Sequence, residues 1–240
     1  MNKVVVAVVV AAAVLIARYF KQPPARKRPQ NGVPRQASRP SPPRQKEPDR
    51  KADIYFLPVG PLPRRHLAAV ETYFRTHTRL NIAVLPVVPV SPEMLDSQRN
   101  QLVAEKVITA VLGSLPKITM NPRAVVIGIT PMDLFTLEQN WKYIYAKREG
   151  SHCTVISSAR MTLDAAGNRT DEATYLARIR KMVAKTIGLQ YYGLDTNWDH
   201  ASVMYGNVHG MPDLDKINED TISRDILTPG ERQRQQTRPV

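Results

Sequence analysis

Lys181 and Lys185 stand one helical turn apart in the run from Asp171 to Gln190, whose apolar residues Leu176, Ile179, Val183 and Ile187 recur at helical spacing. Side chains at i and i+4 share a helix face, so the two ammonium groups can act on one ligand. Three roles are open to such a pair. It can read a carboxylate or phosphate in a cleft. It can supply a base or nucleophile if burial depresses a pKa. Or it can be a solvated helix surface, which is the expectation here because both lysines project away from the apolar stripe. The five histidines are His66, His77, His152, His200 and His209, and no two of them have the i, i+4 spacing of a helical zinc pair. His200 and His209, with Asp199, flank Met204 and offer donors for a metal site built on loops, where preorganisation is weak. Cys153 is the single cysteine, so an internal disulfide framework is excluded.

The elements that must position these residues alternate along the chain. Ile54 to Val59 reads as a buried strand, and Leu62 to Thr76 as a helix with Leu67, Val70, Tyr73 and Phe74 inward. Ile82 to Val90 reads as a strand that Pro86 and Pro89 push toward an edge. Ser97 to Leu115 has helical periodicity, Ala124 to Ile129 is a β-branched run suited to a central strand, Trp141 to Tyr145 alternates like an edge strand, and Thr154 to Ser158 is a further buried strand. Asp171 to Gln190 closes the series as a helix with Gly188 near its end. This order predicts one α/β domain, a mixed sheet with crossover helices.

Several segments resemble the archaemetzincins, a metzincin-type zinc peptidase family with a zincin-like fold. Leu95 to Leu102 is similar to that family's D-x-x-R-x-Q run, carried by Asp96, Arg99 and Gln101. Val126 to Phe135 resembles its v-l-G-v-T-d-x-D-L-f segment through Gly128, Thr130, Asp133, Leu134 and Phe135, the most specific part of the match. Asn140 to Ala146, then Val155 to Met161 with Ser157 and Arg160, follow in the order of its edge strand and v-i-S-t-x-R-l strand. Ser202-Val203-Met204 resembles its Met-turn, and the resemblance spans roughly residues 53 to 226.

The departures set the functional expectation. In the long zincin motif H-E-x-x-H-x-x-G-x-x-H, two His one turn apart hold zinc, the Glu is the general base, and the Gly lets the chain turn so that a third His reaches the ion. With Gly188 at the motif glycine, the three His positions hold Lys181, Lys185 and Tyr191, and Met182 replaces the Glu. Met182 cannot accept a proton. The family's second zinc, bound by four Cys, has no counterpart in a chain whose one thiol lies in the strand before the helix. Tyr192 stands at the first of those Cys positions, and the later pair would fall near Thr221 to Asp225. Met204 also lies several residues farther from the helix than the family spacing places it. The resemblance therefore implies a catalytically inactive, zinc-free peptidase homologue without a cofactor. Lys181, Met182, Lys185, Gly188, Tyr191 and Met204 are then expected to line the inherited cleft. Trp141, Tyr143 and Tyr145 lie on the edge strand that pairs with peptide in metzincins. Two alternatives stay open: a diverged zinc-dependent metallopeptidase with non-standard ligands, and a structural envelope protein. Gly188 is expected to take a positive φ where the helix ends.

The net charge of +13 belongs mostly to the first 52 residues, where twelve Lys or Arg face two acids; residues 53–240 carry 22 against 19. The folded part is nearly balanced and gives no nucleic-acid footprint. Val4 to Ala17 is an unbroken run of fourteen apolar residues, extended by Arg18, Tyr19 and Phe20. With Arg18 snorkelling it reaches the lower bound of about 17 residues for a spanning helix. Residues 1–20 are thus expected to be a single-pass membrane anchor, with a cleaved signal segment and a secreted or periplasmic product as the alternative. Which side of the membrane holds the domain stays open. Residues 21–52, rich in Pro, Arg, Gln and Ser, read as a disordered basic tether. Residues 53–227 form the domain, 228–240 read as a flexible tail, and the expected ligand is a peptide or protein.

Overall fold

The computed structural model describes residues 52–115 and 123–230. The expected anchor, nearly all of the tether and most of the tail lie outside the described residues. Among the described residues no helix is long and apolar enough to cross a membrane.

Alternating side chains decide the layers. Strand β1 (Ile54–Pro58) sends Ile54 and Phe56 to one face and Tyr55 and Leu57 to the other, all buried. A strand apolar on both faces belongs inside a covered, largely parallel sheet. Helix α1 (Arg64–His77) leads to β2 (Ile82–Val84), which pairs parallel with β1. Strand β2 is short and lies at the sheet edge; Pro86 interrupts its ladder, which resumes in a single bridge of Val88 with Val59 before Pro89.

Residues 95–103 do not continue as the helix expected from Ser97. They form a small hairpin, β3 (Leu95–Asp96) and β4 (Gln101–Val103), before helix α2 (Ala104–Gly113). The cause is local. The Asp96 carboxylate captures the N–H groups of Gln98 and Arg99, each at 2.9 Å, and Asn100 takes a left-handed φ of 52°. An Asx turn with a left-handed Asn competes directly with helix formation.

Strand β5 (Val125–Thr130) is central, parallel to β1 on one side and to β8 (Cys153–Ser157) on the other. β6 (Leu134–Phe135) pairs with β4 in a three-stranded accessory sheet. β7 (Ala146–Glu149) runs antiparallel to β8 and ends the five-stranded sheet, ordered β2-β1-β5-β8-β7. α2 covers one face through Val107, Ile108 and Val111. α1 and α3 (Glu172–Thr186) cover the other through Phe74, Ile179 and Val183. Asp171 starts α3 as a side-chain cap on the Thr174 N–H, 2.9 Å. Cys153 is buried on β8, and desolvation pushes its thiol up to about 12, so it is an inert core residue.

α3 does not stop at Gly188. It widens into a π-type turn over Ile187–Tyr191, and the residue with positive φ is Gly193 at 69°. The expectation of a left-handed Gly188 is therefore corrected. Its lack of a Cβ matters for another reason: a Cβ there would lie 2.6 Å from Met204 Sδ. Short helix α4 (Met211–Lys216) follows the 196–209 loop, and the chain is helical again through Gly230, which packs against the Tyr192 ring.

Candidate functional site

A cavity of about 630 Å³ opens between the 140–146 segment with Arg148 of β7, one side of α3, and the loop 206–209. Its α3 wall is Met182, Lys185, Thr186 and Leu189, spaced so that successive turns present one stripe.

The 140–146 segment is not the edge strand that its alternation suggested. Side chains take the carbonyls that a strand would give to a neighbour. Arg99 Nη2 donates to Trp141 O at 3.0 Å, and Gln101 Nε2 donates to Lys142 O at 2.9 Å. Backbone pairing is confined to the end of the segment, where Ile144 N–H donates to Leu134 O and Tyr145 O accepts the Ser157 N–H, each at 2.8 Å. The edge strand proper begins at Ala146. Trp141, Tyr143 and Tyr145 still line the cavity, with Trp141 largely exposed and Tyr143 against Tyr145 edge to face. Burial raises the Tyr145 phenol, which stays neutral at any ordinary pH.

The residues that carried the family resemblance converge beneath this segment. Asp133 accepts from Arg160 Nε and Nη2 at 3.0 and 2.7 Å, and from Gln101 Nε2 at 2.7 Å. The Arg160 guanidinium lies 3.6 Å from the Tyr143 ring centroid, and Arg99 lies 4.2 Å over Phe135. Asp133 is the hub that fixes the cavity roof. Charge-assisted, bidentate bonds of this kind are the strong ones. Asp133→Ala should therefore loosen residues 140–146 locally. Hydrogen exchange at the Ile144 amide is expected to speed up by about tenfold, equivalent to about 1.4 kcal/mol of local stability, while β1 amides stay protected. Unchanged exchange at Ile144 would refute the bracing role.

Of the six motif positions, Met182 and Lys185 line the cavity. The two lysines are not a solvated face. Lys181 is only 8% exposed and its Nζ donates to Leu214 O at 3.1 Å, toward α4 rather than the cavity. Burial lowers its pKa. Lys185 is half-buried, its Nζ donates to Tyr205 O, and burial, with Arg148 adding repulsion, lowers its pKa to about 8. Helical periodicity placed them off the apolar stripe, but α4 and the 202–209 loop fold back over that side. Tyr191 OH donates to Asp53 Oδ1 at 2.6 Å, under β1. The positions of the three motif histidines thus point to three different places, because the chain stays helical through Tyr191. Gly188 and Met204 pack on each other inside the core, Met204 being 1% exposed. The Met204 turn itself is well tied: Ser202 Oγ accepts the Met204 N–H at 3.0 Å, and Thr221 Oγ1 accepts the Val203 N–H at 3.1 Å.

His200 stacks obliquely on Tyr205 at 4.3 Å, Asp199 caps the Ala201 N–H at 2.9 Å, and His209 stands on the cavity rim. Among the described residues no three His, Cys, Asp or Glu side chains form a group that could hold a metal ion. Sequence reading missed Arg178, 2% exposed on α3, which forms a bidentate pair with Asp215 at 2.8 and 2.7 Å. Nothing in the helical pattern distinguishes it from Arg180.

No protein-family model and no curated protein matches the chain. Solved structures do. An archaemetzincin from Archaeoglobus fulgidus, solved with malonate, is 17% identical, with 75% of this chain and 98% of that one covered at a TM-score of 0.56. An archaemetzincin from Methanopyrus kandleri is 18% identical, with 72% and 94% covered at 0.52. A zinc-dependent peptidase from Methanocorpusculum labreanum is 17% identical, with 69% and 94% covered at 0.58. The chain is archaemetzincin-like in its fold.

Proposed function

We propose that this protein is a catalytically inactive, zinc-free peptidase homologue that binds peptide in the cavity beside β7, held at a membrane by its N-terminal segment. The observation that carries this reading is the divergence of the motif. Lys185 faces the cavity, Lys181 faces α4 and Tyr191 faces Asp53, with Met182 where a general base would stand. Such a site supplies neither a Lewis acid nor an activated water. A sheet edge and an adjoining cavity support the peptide-binding reading. β7 ends the sheet, so its outer N–H and C=O groups can pair with an extended chain, and the adjoining cavity has an aromatic wall. The apolar run Val4 to Ala17 would supply the anchor, and residues 21–52 the tether.

The full chain, purified in mild detergent and dialysed, should carry zinc well below stoichiometry, leave casein intact, and retain members of an unbiased peptide library. Chelator-sensitive cleavage would overturn the inactive reading. Retention of no peptide at all would overturn the binding reading.

A further inference from the structure

The cavity carries charge of one sign. Lys142 and Arg148 come to its wall from the stretch 140–148 and Lys185 from α3, and no lining residue is an Asp or Glu. Several other cations of the domain have carboxylate partners: Lys147 with Glu138, Arg160 with Asp133, Arg178 with Asp215, Arg180 with Glu219. Lys185 differs. Its Nζ donates to a neutral carbonyl of Tyr205, and the charge acting on it is Arg148, a second cation. An ammonium has three N–H groups, and the Tyr205 carbonyl uses one. Met182, Ile144, Leu189 and Val208 line much of the remaining wall, which strengthens any charge interaction formed there. Two cations held together beside an apolar wall repel, and an anion between them relieves that repulsion.

We propose that the cavity recognises a peptide by a carboxylate, with Lys185 as the principal contact and the exposed Arg148 and Lys142 assisting. This rests on the peptide-binding reading and adds the charge of the ligand to it. A carboxylate suits the place because it can arrive on the same extended chain that pairs with β7. It can come from the peptide C-terminus or from an Asp or Glu side chain.

A pH signature follows. The groups facing Lys185 are Arg148 from β7, Lys142, Tyr143 and Tyr145 from the 140–146 segment, and His209 from the loop, while Lys181 on the same helix is turned to Leu214 O. In the free protein the Lys185 ammonium is present below about pH 8 and is lost above it. A bound carboxylate holds the proton on, so binding takes up a proton near pH 8 and weakens as pH rises further. Capture through a metal ion has the opposite trend, because metal ligands must be deprotonated.

The test uses the full chain in detergent, immobilised, with three acetylated random hexapeptide pools. One lacks Asp and Glu and has a free C-terminus, one lacks them and is amidated, and one is amidated with a single Glu. Inorganic phosphate is the competitor. Binding of the free-acid pool, the Glu pool or both, with the neutral amide pool weaker by about tenfold or more, is expected, and the pattern names the carboxylate source. Lys185→Met should remove most of that preference, Lys185→Arg should keep it, and Arg148→Gln should reduce it a few-fold. Should Lys185→Met fail to fold, Arg148→Gln and the decline above pH 8 decide the matter. Equal binding of all three pools overturns the carboxylate proposal and leaves peptide binding standing. No binding by any pool overturns both, including where phosphate alone binds.

Discussion

Arg178→Ala should cost the domain about 3–4 kcal/mol, read as a shift in denaturant midpoint at unchanged slope. Arg178 is 2% exposed, and four of its five N–H groups are engaged. Nε and Nη2 grip both oxygens of Asp215 at 2.8 and 2.7 Å, and Nη1 donates to the carbonyls of Met161 and Leu163 at 2.8 and 2.7 Å. Truncation leaves two carbonyls without their donor, each costing about 1–3 kcal/mol where water cannot reach, and it leaves a void. The Asp215 side chain is 43% exposed, so its charge can be hydrated again, which keeps the total at the lower end for a broken buried pair. Arg178→Lys keeps the charge but not the planar fork, so about half the loss should remain. The consequence reaches the cavity, because Arg178 ties α3 both to the turn after β8 and to α4. α3 in turn carries Met182, Lys185 and Leu189 on the cavity wall. A loss below about 1 kcal/mol would mean that water already serves those carbonyls.

How far such features can be read in advance depends on how local their causes are. The sheet was legible. Ile54, Phe56, Val125, Ile127 and Ile156 alternate with their neighbours as a doubly covered sheet requires, and Asp171 marks the start of α3. The Asp96 to Gln101 hairpin was legible in principle, since an Asx turn and a left-handed Asn are short-range signals. The helical spacing of the apolar residues hid it. The cavity was only half legible. The segments resembling archaemetzincin pointed to Arg99, Gln101, Asp133 and Arg160, yet that these four meet under residues 141–145 depends on strand order, which no short stretch encodes. The lysines are the clearest failure of local reasoning. A helical wheel gives the direction of Lys181 and Lys185 but not what packs there, and their surroundings come from residues 20 to 33 positions downstream.

Gly188→Val should destabilise by about 2–3 kcal/mol, and Met204 is the reason. Backbone strain is not the cause, because Gly188 lies in right-handed helical conformation where any residue can sit. On propensity alone Gly188→Ala ought to gain about 1 kcal/mol, since Gly is the poorest ordinary helix former after Pro. Contact decides the sign instead. An added Cβ would lie 2.6 Å from Met204 Sδ, 3.2 Å from its Cε and 3.4 Å from Ile226 Cδ1, and Met204 is 1% exposed with nowhere free to move. Methionine is adaptable, so Ala should be tolerated at a cost near 1 kcal/mol, while the branched Val meets Ile226 as well. Met204→Ala alone should lose about 2–4 kcal/mol as a core truncation. In that background the sign should reverse. Gly188→Ala is expected to become stabilising by about 0.5–1 kcal/mol, with a coupling energy of about 1.5–2 kcal/mol in the double-mutant cycle. Urea melts of the four proteins measure it. Additivity within about 0.5 kcal/mol would show that the Met204 turn does not press on the helix, and Gly188 would then be free to vary.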